Sequence, residues 1–546
     1  MSAVFVGFSL FISVCVAALL LGNLAQRHAA SALQRPLPDI SHDVRRAAGD
    51  KHGLYQQGQA RQQIGRMNGF AAFSFSFSGM GLIGCGCWLL LPAVAQGGPA
   101  VLGIGWPVIG LFAVLSACIY ASSASGMPST GGVYHWVSSI LGNRWGVLAG
   151  GLHIAGQAVL YAVSNVLAAS WLNMTLSEAF GYEASPIGQY ALLAVLFAVQ
   201  SWTGARDPVR LGRLFVAGAW LEIATMLIVI AIVVCSGEIG YWPIQMIYEQ
   251  KHPVDVMAAS PDATSVLLGL LLLYRGMIGG ERAAAMTEET ADARVHTPWA
   301  IFLSTAYAVV FGYLFFAILL VQIPFSPEAG GLLTGINAII GGDASKLYSA
   351  VAVIVFMSTL FSGAGNLASI ARTWDAMARE RAALMGERFR IVTRRKGQAR
   401  SLAVTVVGCA MISLSVLMVH ARGGESALPV QPMLLAFLLL HAALAIVAGG
   451  RCAARFSGIA ILSGPWRLGR IEPWTERLTA AWAIAWLGGI AWFLSAMTWS
   501  ILGVAGLLLS LTAALRLKKS GKEQRPPLTA TRSGSERNAH GVHSSN

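Results

Sequence analysis

The apolar residues of this chain are collected into long blocks that are separated by short polar connections. Each block has about 18 to 25 residues, the length of an α-helix that crosses a hydrocarbon core of roughly 30 Å. We predict twelve membrane spans, at 69–95, 100–123, 147–173, 187–204, 209–235, 264–286, 298–323, 346–373, 402–420, 430–450, 476–496 and 498–516. The pattern predicts an all-α polytopic membrane protein.

A further apolar block, Val4–Leu24, precedes the twelve spans. It has the length of a signal peptide or of an extra span. No Lys or Arg precedes it and a basic segment follows it, so cleavage would leave that segment outside the membrane. We therefore expect an uncleaved extra helix with its N-terminus outside.

Charge supports this membrane topology. Hydrophobic residues make up 55% of the chain and charged residues 12%, about half the charged share of soluble domains. Connections predicted outside hold only Lys251, Lys346 and Arg422 as bases, whereas those predicted inside hold several bases at 206–213, 379–400 and 451–470. This bias predicts inner loops and a C-terminus in the cytoplasm. The plasma membrane is the expected location, and the sequence does not determine which cellular membrane it is. The net charge of +13 is then a topology signal, and we expect no nucleic-acid partner.

The first predicted span is rich in serine and glycine where a membrane helix is normally apolar. Small residues allow close helix packing, but the dense cluster at 78–81 favours an interruption of the helix. The outer half would then present free N–H groups at its positive end, which suits a carboxylate. We predict a substrate site that includes Ser78, Gly79, Met80 and Gly81.

The sixth predicted span carries charges and glycines at 273–282. An ionisable residue at the centre of a span costs about 3 kcal/mol, so Arg275 and Glu281 are expected to face a polar cavity or to pair with each other. In the functional alternative, carbonyls freed by an interruption act with Glu281 as acceptors for an ammonium group or a coupling cation. We predict that this part of the site contains Gly276, Ile278, Gly279, Gly280 and Glu281.

The two interruptions stand five spans apart, as in an inverted repeat of five plus five helices. The domain organisation predicted from this is an extra helix at 1–26, a cytoplasmic basic segment at 27–66, a twelve-helix domain at 67–517 and a disordered cytoplasmic tail at 518–546. Within the domain, the repeats cover about 67–240 and 260–455, and two further helices cover 475–517.

Several motifs resemble the amino acid, polyamine and organocation superfamily, and within it the amino acid/choline transporter group. They are the lead-in at 54–66, the outer turn Gly97-Gly98-Pro99, the re-entry segment Pro128–Trp136, the pair Gly279-Gly280-Glu281 and Glu288-Glu289-Thr290, Ala371-Arg372 with 378–380, and Gly464–Arg470. Tyr134 and Trp136 of the re-entry segment suit a membrane interface, and a purely structural role fits them equally well. The resemblance covers roughly 54–516 and implies a LeuT-like fold with twelve core helices.

Two positions depart from the family pattern. Gly280 stands where an aromatic residue commonly covers the substrate, which leaves a larger pocket or a gate supplied elsewhere. Ser122 stands where the family often has Glu, so one inner charge is missing. Glu222 resembles an acidic position often found in the fifth span, and an intramembrane carboxylate is a candidate proton relay or an anchor for a neighbouring helix.

The resemblance implies secondary active transport of amino acids or related amines and organocations by alternating access. The alternative is a transport-inactive nutrient sensor or scaffold on the same fold, prompted by the missing aromatic and the extra helix. An enzyme is not expected, because neither His-Glu-x-x-His nor Gly-x-Ser-x-Gly occurs.

No cofactor is expected apart from a coupling proton or sodium ion. Glu222 and Glu281 are the relay candidates, and they favour a proton or an exchange mechanism. Cys85 and Cys87 lack the further ligands that a metal site needs. The expected partners are the substrate and the lipid bilayer, and the sequence does not predict an oligomeric state.

Overall fold

The computed structural model describes residues 2–33, 67–236, 243–249, 262–322, 344–379, 401–418 and 429–494. Most of the predicted basic segment, the predicted span 498–516 and the predicted tail lie outside these residues. The helices are α1 Ser2–Leu33, α2 Gly69–Met80, α3 Leu82–Gly97, α4 Trp106–Gly126, α5 Val133–Leu141, α6 Asn143–Phe180, α7 Pro186–Gly204, α8 Pro208–Ser236, α9 Ala263–Tyr274, α10 Ala293–Gln322, α11 Ala344–Arg379, α12 Ser401–Met418, α13 Val430–Phe456 and α14 Glu472–Phe493.

The predicted spans that fall on described residues are all helical. In this part of the chain, ten helices are long and apolar enough to cross a membrane: α1 and nine segments that correspond to predicted spans. The other two, α7 and α14, are helical at the predicted positions but carry more polar residues, including Gln189 and Gln200 in α7. The predicted all-α polytopic class is confirmed.

Helices of equal rank in the two predicted repeats pack against each other. The first span, formed by α2 and α3, contacts α9 and the segment after it; α4 packs along α10, and α6 packs along α11. Each pair is five spans apart, which is the contact pattern expected of two inverted repeats of five helices. At the centre of this packing, Phe75 of α2 meets Phe215 of α8 edge to face, with ring centroids 4.7 Å apart.

Local sequence signals fix several helix starts. The side chain of Asn68 accepts a hydrogen bond from the Ala71 amide at 2.9 Å and caps α2. Asp262 caps α9 in the same way through the Ser265 amide at 2.8 Å, and this hydrogen bond lowers the pKa of the Asp262 carboxyl. The spans therefore begin close to the positions that the polar flanks indicate.

The re-entry segment is buried inside the protein. Tyr134 and Trp136 lie on the short helix α5 and are almost fully buried inside the protein, so of the two alternatives for these residues the structural role fits their burial. The indole N–H of Trp136 donates to the Met127 carbonyl at 3.1 Å.

The extra helix α1 packs on α4 and α10. There Phe11 of α1 stacks on Tyr313 of α10, with ring centroids 4.2 Å apart.

A buried charge cluster joins α13 and α14 to the end of α4. Arg451 is only 2% exposed and donates to Glu476 at 2.8 Å, to Glu472 at 2.7 Å and to Ser122 at 3.0 Å. Arg455 donates to the other oxygen of Glu476 at 2.6 Å. Two guanidinium groups thus match two carboxylates. Both carboxylates belong to α14, and they lie beside Ser122, the position where the family pattern often has Glu.

We predict that Arg451→Met lowers the thermal midpoint of the detergent-purified protein by about 5 to 10 °C, because it leaves Glu472 buried without its closest base. The control is Arg477→Met. Arg477 is exposed and lies over the rings of Phe456 and Trp474 at 5.6 and 5.2 Å, a contact of about 1 kcal/mol. Equal midpoints for the two variants would show that the cluster is not structural.

Candidate functional site

The predicted interruption of the first span is confirmed, and it is one residue wide. Gly81 separates α2 from α3 in the left-handed conformation, with φ 63° and ψ 53°. A Cβ atom at this position would lie 2.8 Å from the Cβ of Ser362 on α11. Gly81 is therefore required both by its backbone conformation and by the close approach of α11.

The carbonyl groups at the end of α2 are taken by basic side chains. Arg275 donates to the Met80 carbonyl at 3.1 Å, and Arg282 donates to the Gly79 carbonyl. Ser362 also donates to the Gly79 carbonyl, at 2.8 Å. Two buried guanidinium groups thus lie at the negative end of the α2 dipole.

The amide groups at the start of α3 are taken by an acidic side chain. The Ile83 amide donates to Glu222 of α8 at 2.9 Å, and the Gly84 amide donates to Ser358 of α11 at 3.1 Å. Ser358 in turn donates to the other oxygen of Glu222, which is only 1% exposed. The position predicted for a carboxylate at this helix end is therefore occupied by a carboxylate of the chain itself.

The interruption of the sixth span is also confirmed, and it is wider. After α9 come a 3-10 turn at Arg275–Met277, an extended Ile278, Gly279 at φ 127° and a 3-10 helix at Gly280–Glu289. Ser76 of α2 joins the two interruptions: its hydroxyl donates to the Gly280 carbonyl at 2.8 Å and accepts from the Ala283 amide at 2.9 Å.

The two charges singled out in this span have separate partners. Arg275 donates to Ser164 at 2.9 Å and to Ser362 at 3.1 Å. Glu281 accepts from Gln157 at 2.6 Å. The expected alternative of a direct pair between Arg275 and Glu281 is therefore wrong, and each charge is held by polar groups of other helices.

A small cavity of about 50 Å³ borders Glu281. Its walls include Tyr120, Tyr274, His153 and His441, and the ring nitrogen Nε2 of His153 lies 3.9 Å from the Glu281 carboxylate. Among the described residues, no hydrogen-bond partner faces Nδ1 of His153 or Nε2 of His441. This volume holds a few water molecules.

Gly280 does not enlarge this cavity. A Cβ atom at Gly280 would lie 2.3 Å from the hydroxyl oxygen of Thr305 and 3.0 Å from the Ile301 carbonyl, both on α10. An aromatic side chain has no room there. Of the two alternatives for this position, the larger pocket is wrong, and Tyr120 and Tyr274 are the aromatic side chains beside the cavity.

The structure brings most of the predicted site residues together, and it adds others. Ser78 and Gly276 do not line the cavity. Ser78 donates to the Ser74 carbonyl at 2.6 Å within its own helix, and Gly276 packs against Leu82. Ser358 and Ser362 were missed, although their four-residue spacing places them on one face of α11 and could have pointed to them. Also absent from the predicted set are Gln157, Arg282 and Ser76. A role of any of these residues in substrate binding stays a prediction.

Three of the family-like motifs meet at one end of the bundle. Thr130 of the re-entry segment donates to Glu288 at 2.8 Å, and Arg372 at the end of α11 pairs with Glu289 at 2.9 Å. The backbone of Met67 exchanges hydrogen bonds with Glu289 and Ala291, both under 3 Å. These contacts tie the start of the first span to the segment that follows the sixth.

Two interrupted helices that meet inside a multi-pass helical bundle are typical of membrane transport proteins. The family described as amino acid permease matches residues 67–516 of the 546. The chain therefore belongs to the amino acid permease family and is a multi-pass integral membrane protein. The family consists of permeases and not of enzymes.

Individual relatives match less of the chain. It is 28% identical to the large neutral amino acids transporter small subunit 2 of Oryctolagus cuniculus over 55% of each chain. It is 24% identical to the amino-acid permease BAT1 of Arabidopsis thaliana over 46% of this chain and 51% of that one. The chain thus spans about half the length of the curated relatives it matches. A manganese transporter of Eremococcus coleocola is similar with a TM-score of 0.46 and 11% identity, over 82% of this chain and 92% of that one, and this adds nothing to the family assignment.

We predict that Glu222→Ala destabilises the protein by about 2 to 3 kcal/mol, because it leaves the buried Ile83 amide without an acceptor. Glu222→Gln keeps an acceptor and loses only the charge at the helix end, which costs about 1 kcal/mol. The exposed Glu178→Gln is the control. Thermal unfolding in detergent measures the midpoint of each variant, and we expect the lowest midpoint for Glu222→Ala. A Glu222→Ala midpoint equal to that of the control contradicts the capping role.

Proposed function

We propose that this chain is a secondary transporter that moves amino acids across a membrane by alternating access. The observation that carries the proposal is the pair of interrupted helices, joined by Ser76, with the partly buried Glu281 beside a small cavity. A cavity this small admits a substrate only if the helices around it move. We place the chain in the plasma membrane with its basic connections in the cytoplasm.

Glu281 supplies the acceptor for the substrate's ammonium group. It is a partly buried carboxylate on the cavity wall, and its partners among the described residues are neutral or weakly basic: Gln157 at 2.6 Å and His153 at 3.9 Å. A charge-assisted hydrogen bond to an ammonium group is worth about 1.5–3 kcal/mol. The relatives named as amino acid transporters and permeases support an amino acid as the substrate.

A second candidate substrate is an amine or organocation that has no carboxylate. The observation that favours it is Glu222, whose carboxylate already occupies the start of α3. An amino acid that uses the same amides must displace Glu222, whereas an amine need not. The two candidates differ in one chemical group, so they can be separated with a matched pair of substrates.

Coupling to a proton is favoured over coupling to sodium. In an interrupted helix, a sodium ion is bound by freed carbonyl oxygens, and here the carbonyls of Gly79 and Met80 already accept from Arg282 and Arg275. Another positive charge beside two guanidinium groups is disfavoured. Glu222, which is buried, and Glu281, which borders the cavity, are the carboxylates that we propose as the proton relay.

The cytoplasmic end, as we assign it, is the closed gate in this conformation. The ion pair between Arg372 and Glu289, the Thr130 hydrogen bond to Glu288 and the backbone pairing of Met67 all lie there. Alternating access requires that these contacts break together when the site opens to that side.

The transport prediction uses purified protein in proteoliposomes. A labelled large neutral amino acid is expected to accumulate or exchange, and Glu281→Gln is expected to lower the uptake efficiency by about tenfold or more, since it removes the charge that binds the ammonium group. The exposed Glu183→Gln is the control and retains uptake. Unchanged uptake by Glu281→Gln would reject the site while leaving transport intact.

The matched substrates are a neutral amino acid and its carboxamide, which differ only in the carboxylate. Competition by the amino acid alone supports the first candidate, and equal competition by both supports the amine. If either ligand raises the thermal midpoint of the protein but no flux occurs, the chain is a sensor or scaffold and the transport proposal is wrong.

The coupling prediction compares ion gradients across the same vesicles. Replacing sodium by potassium is expected to leave uptake unchanged, whereas an imposed proton gradient accelerates it. This acceleration is expected to be lost in Glu281→Gln, because the glutamine cannot be protonated in this range. Accumulation driven by sodium alone would contradict the proposal that Arg275 and Arg282 take the place of a sodium ion at the carbonyls of α2.

A further inference from the structure

A second cavity, of about 750 Å³, lies far from the interrupted helices, between the end of α1 and the connection from α13 to α14. Its walls include Leu24 and His28 of α1 and Ile459, Ser463, Arg467 and Arg470 of the connection. The volume falls within the range of about 300–1,000 Å³ that is common for ligand sites.

The cavity carries positive charge that the described residues do not neutralise. Arg455, which also lines it, is matched by Glu476 at 2.6 Å and Glu472 at 3.7 Å. Arg467 and Arg470 are exposed, and no described carboxylate lies within ion-pair distance of either one. Two guanidinium groups are therefore free to bind an anion inside a concave site.

The aromatic residues beside this cavity place it at the level of a membrane surface. Phe456 at the end of α13 is 78% exposed and Trp474 at the start of α14 is 63% exposed. The Arg477 guanidinium lies over both rings. Exposed aromatic residues with a basic partner at the ends of adjacent spans are typical of the membrane interface. Ile459 and Leu462 add an exposed apolar rim.

The extra helix completes the wall of this cavity. Gly469 adopts φ 63°, and a Cβ atom there would lie 2.3 Å from the ring of His28. The connection can approach α1 this closely only because position 469 is glycine. A helix with an otherwise exposed apolar face, including Phe5 at 75% and Leu19 at 73%, thus borders a basic cavity at one end.

We propose that this cavity binds the phosphate headgroup of an anionic phospholipid, with Arg467 and Arg470 donating to the phosphate oxygens and the apolar rim bordering the acyl chains. Guanidinium groups match phosphate oxygens in bidentate geometry, and basic pockets between spans on the cytoplasmic side bind such headgroups. The connection belongs to the basic, inner set of loops, so the lipid comes from the inner leaflet. A soluble phosphate compound offers the same headgroup chemistry but would not use the apolar rim.

The test is native mass spectrometry of the full-length, delipidated protein with phosphatidylglycerol or phosphatidylcholine. Phosphatidylglycerol is expected to bind preferentially, and Arg467→Gln/Arg470→Gln is expected to weaken its binding about tenfold or more. The matched control, Arg210→Gln/Arg213→Gln, removes two exposed bases from the first turns of α8, at another predicted inner end, and is expected to retain binding. Ser463→Trp fills the cavity while keeping both arginines, and it is also expected to weaken binding.

Three outcomes would overturn the proposal. Equal weakening in the Arg210/Arg213 control would show a diffuse charge effect and not a site. Equal retention of phosphatidylcholine would remove the role of the anionic headgroup. Binding of glycerol 3-phosphate as tightly as phosphatidylglycerol would assign the cavity to a soluble phosphate. Thermal unfolding of each variant identifies any that fails to fold, and the Ser463→Trp result then decides between cavity and charge.

Discussion

The backbone groups exposed on either side of Gly81 impose the main constraint on this structure. A helix that breaks inside a membrane leaves carbonyls on one side and amides on the other, and each unpaired group costs several kcal/mol in the absence of water. Arg275 and Arg282 satisfy the carbonyls, and Glu222 satisfies an amide. These side chains come from α8 and from the second interrupted span, so the break in the first span determines how the other helices must be placed around it.

The same constraint explains what the sequence predicts and what it does not. Both interruptions are visible because glycine and charge inside an apolar block violate the composition of a membrane span, as at Gly81 and Gly279. The partner of each exposed group is not visible. Whether Arg275 meets Glu281 or the Met80 carbonyl depends on the rotation of helices far apart in the chain, and hydrophobic periodicity leaves that rotation open. The spacing of Ser358 and Ser362 indicates a polar face of α11, but it does not indicate which groups that face contacts.

Tertiary packing decides what single residues do where the sequence leaves alternatives open. Aromatic residues near a span end favour the membrane interface on average, but Tyr134 and Trp136 lie on a short helix that packs under its neighbours, so both are buried. At Gly280, the absent side chain allows a larger pocket as one prediction from the sequence, but Thr305 of α10 occupies that space. Ser122 lacks a carboxylate, and Glu472 of α14 provides one. In each case a segment distant in sequence supplies the atoms.

The internal neutralisation of the first interruption also bears on how a substrate can act. An amino acid brings a carboxylate and an ammonium group, the two charge types that the chain already places at the ends of α3 and α2. A substrate that competes with Glu222 for the α3 amides exchanges one carboxylate for another, so the net electrostatic gain is small. The freed Glu222 must then find another partner or a proton. For a substrate that displaces Glu222, binding and protonation at Glu222 would be linked, because whatever stabilises the displaced, neutral carboxyl would also favour occupancy of the amides. An amine bound at Glu281 alone lacks this link, and this physical difference separates the two candidate substrate classes.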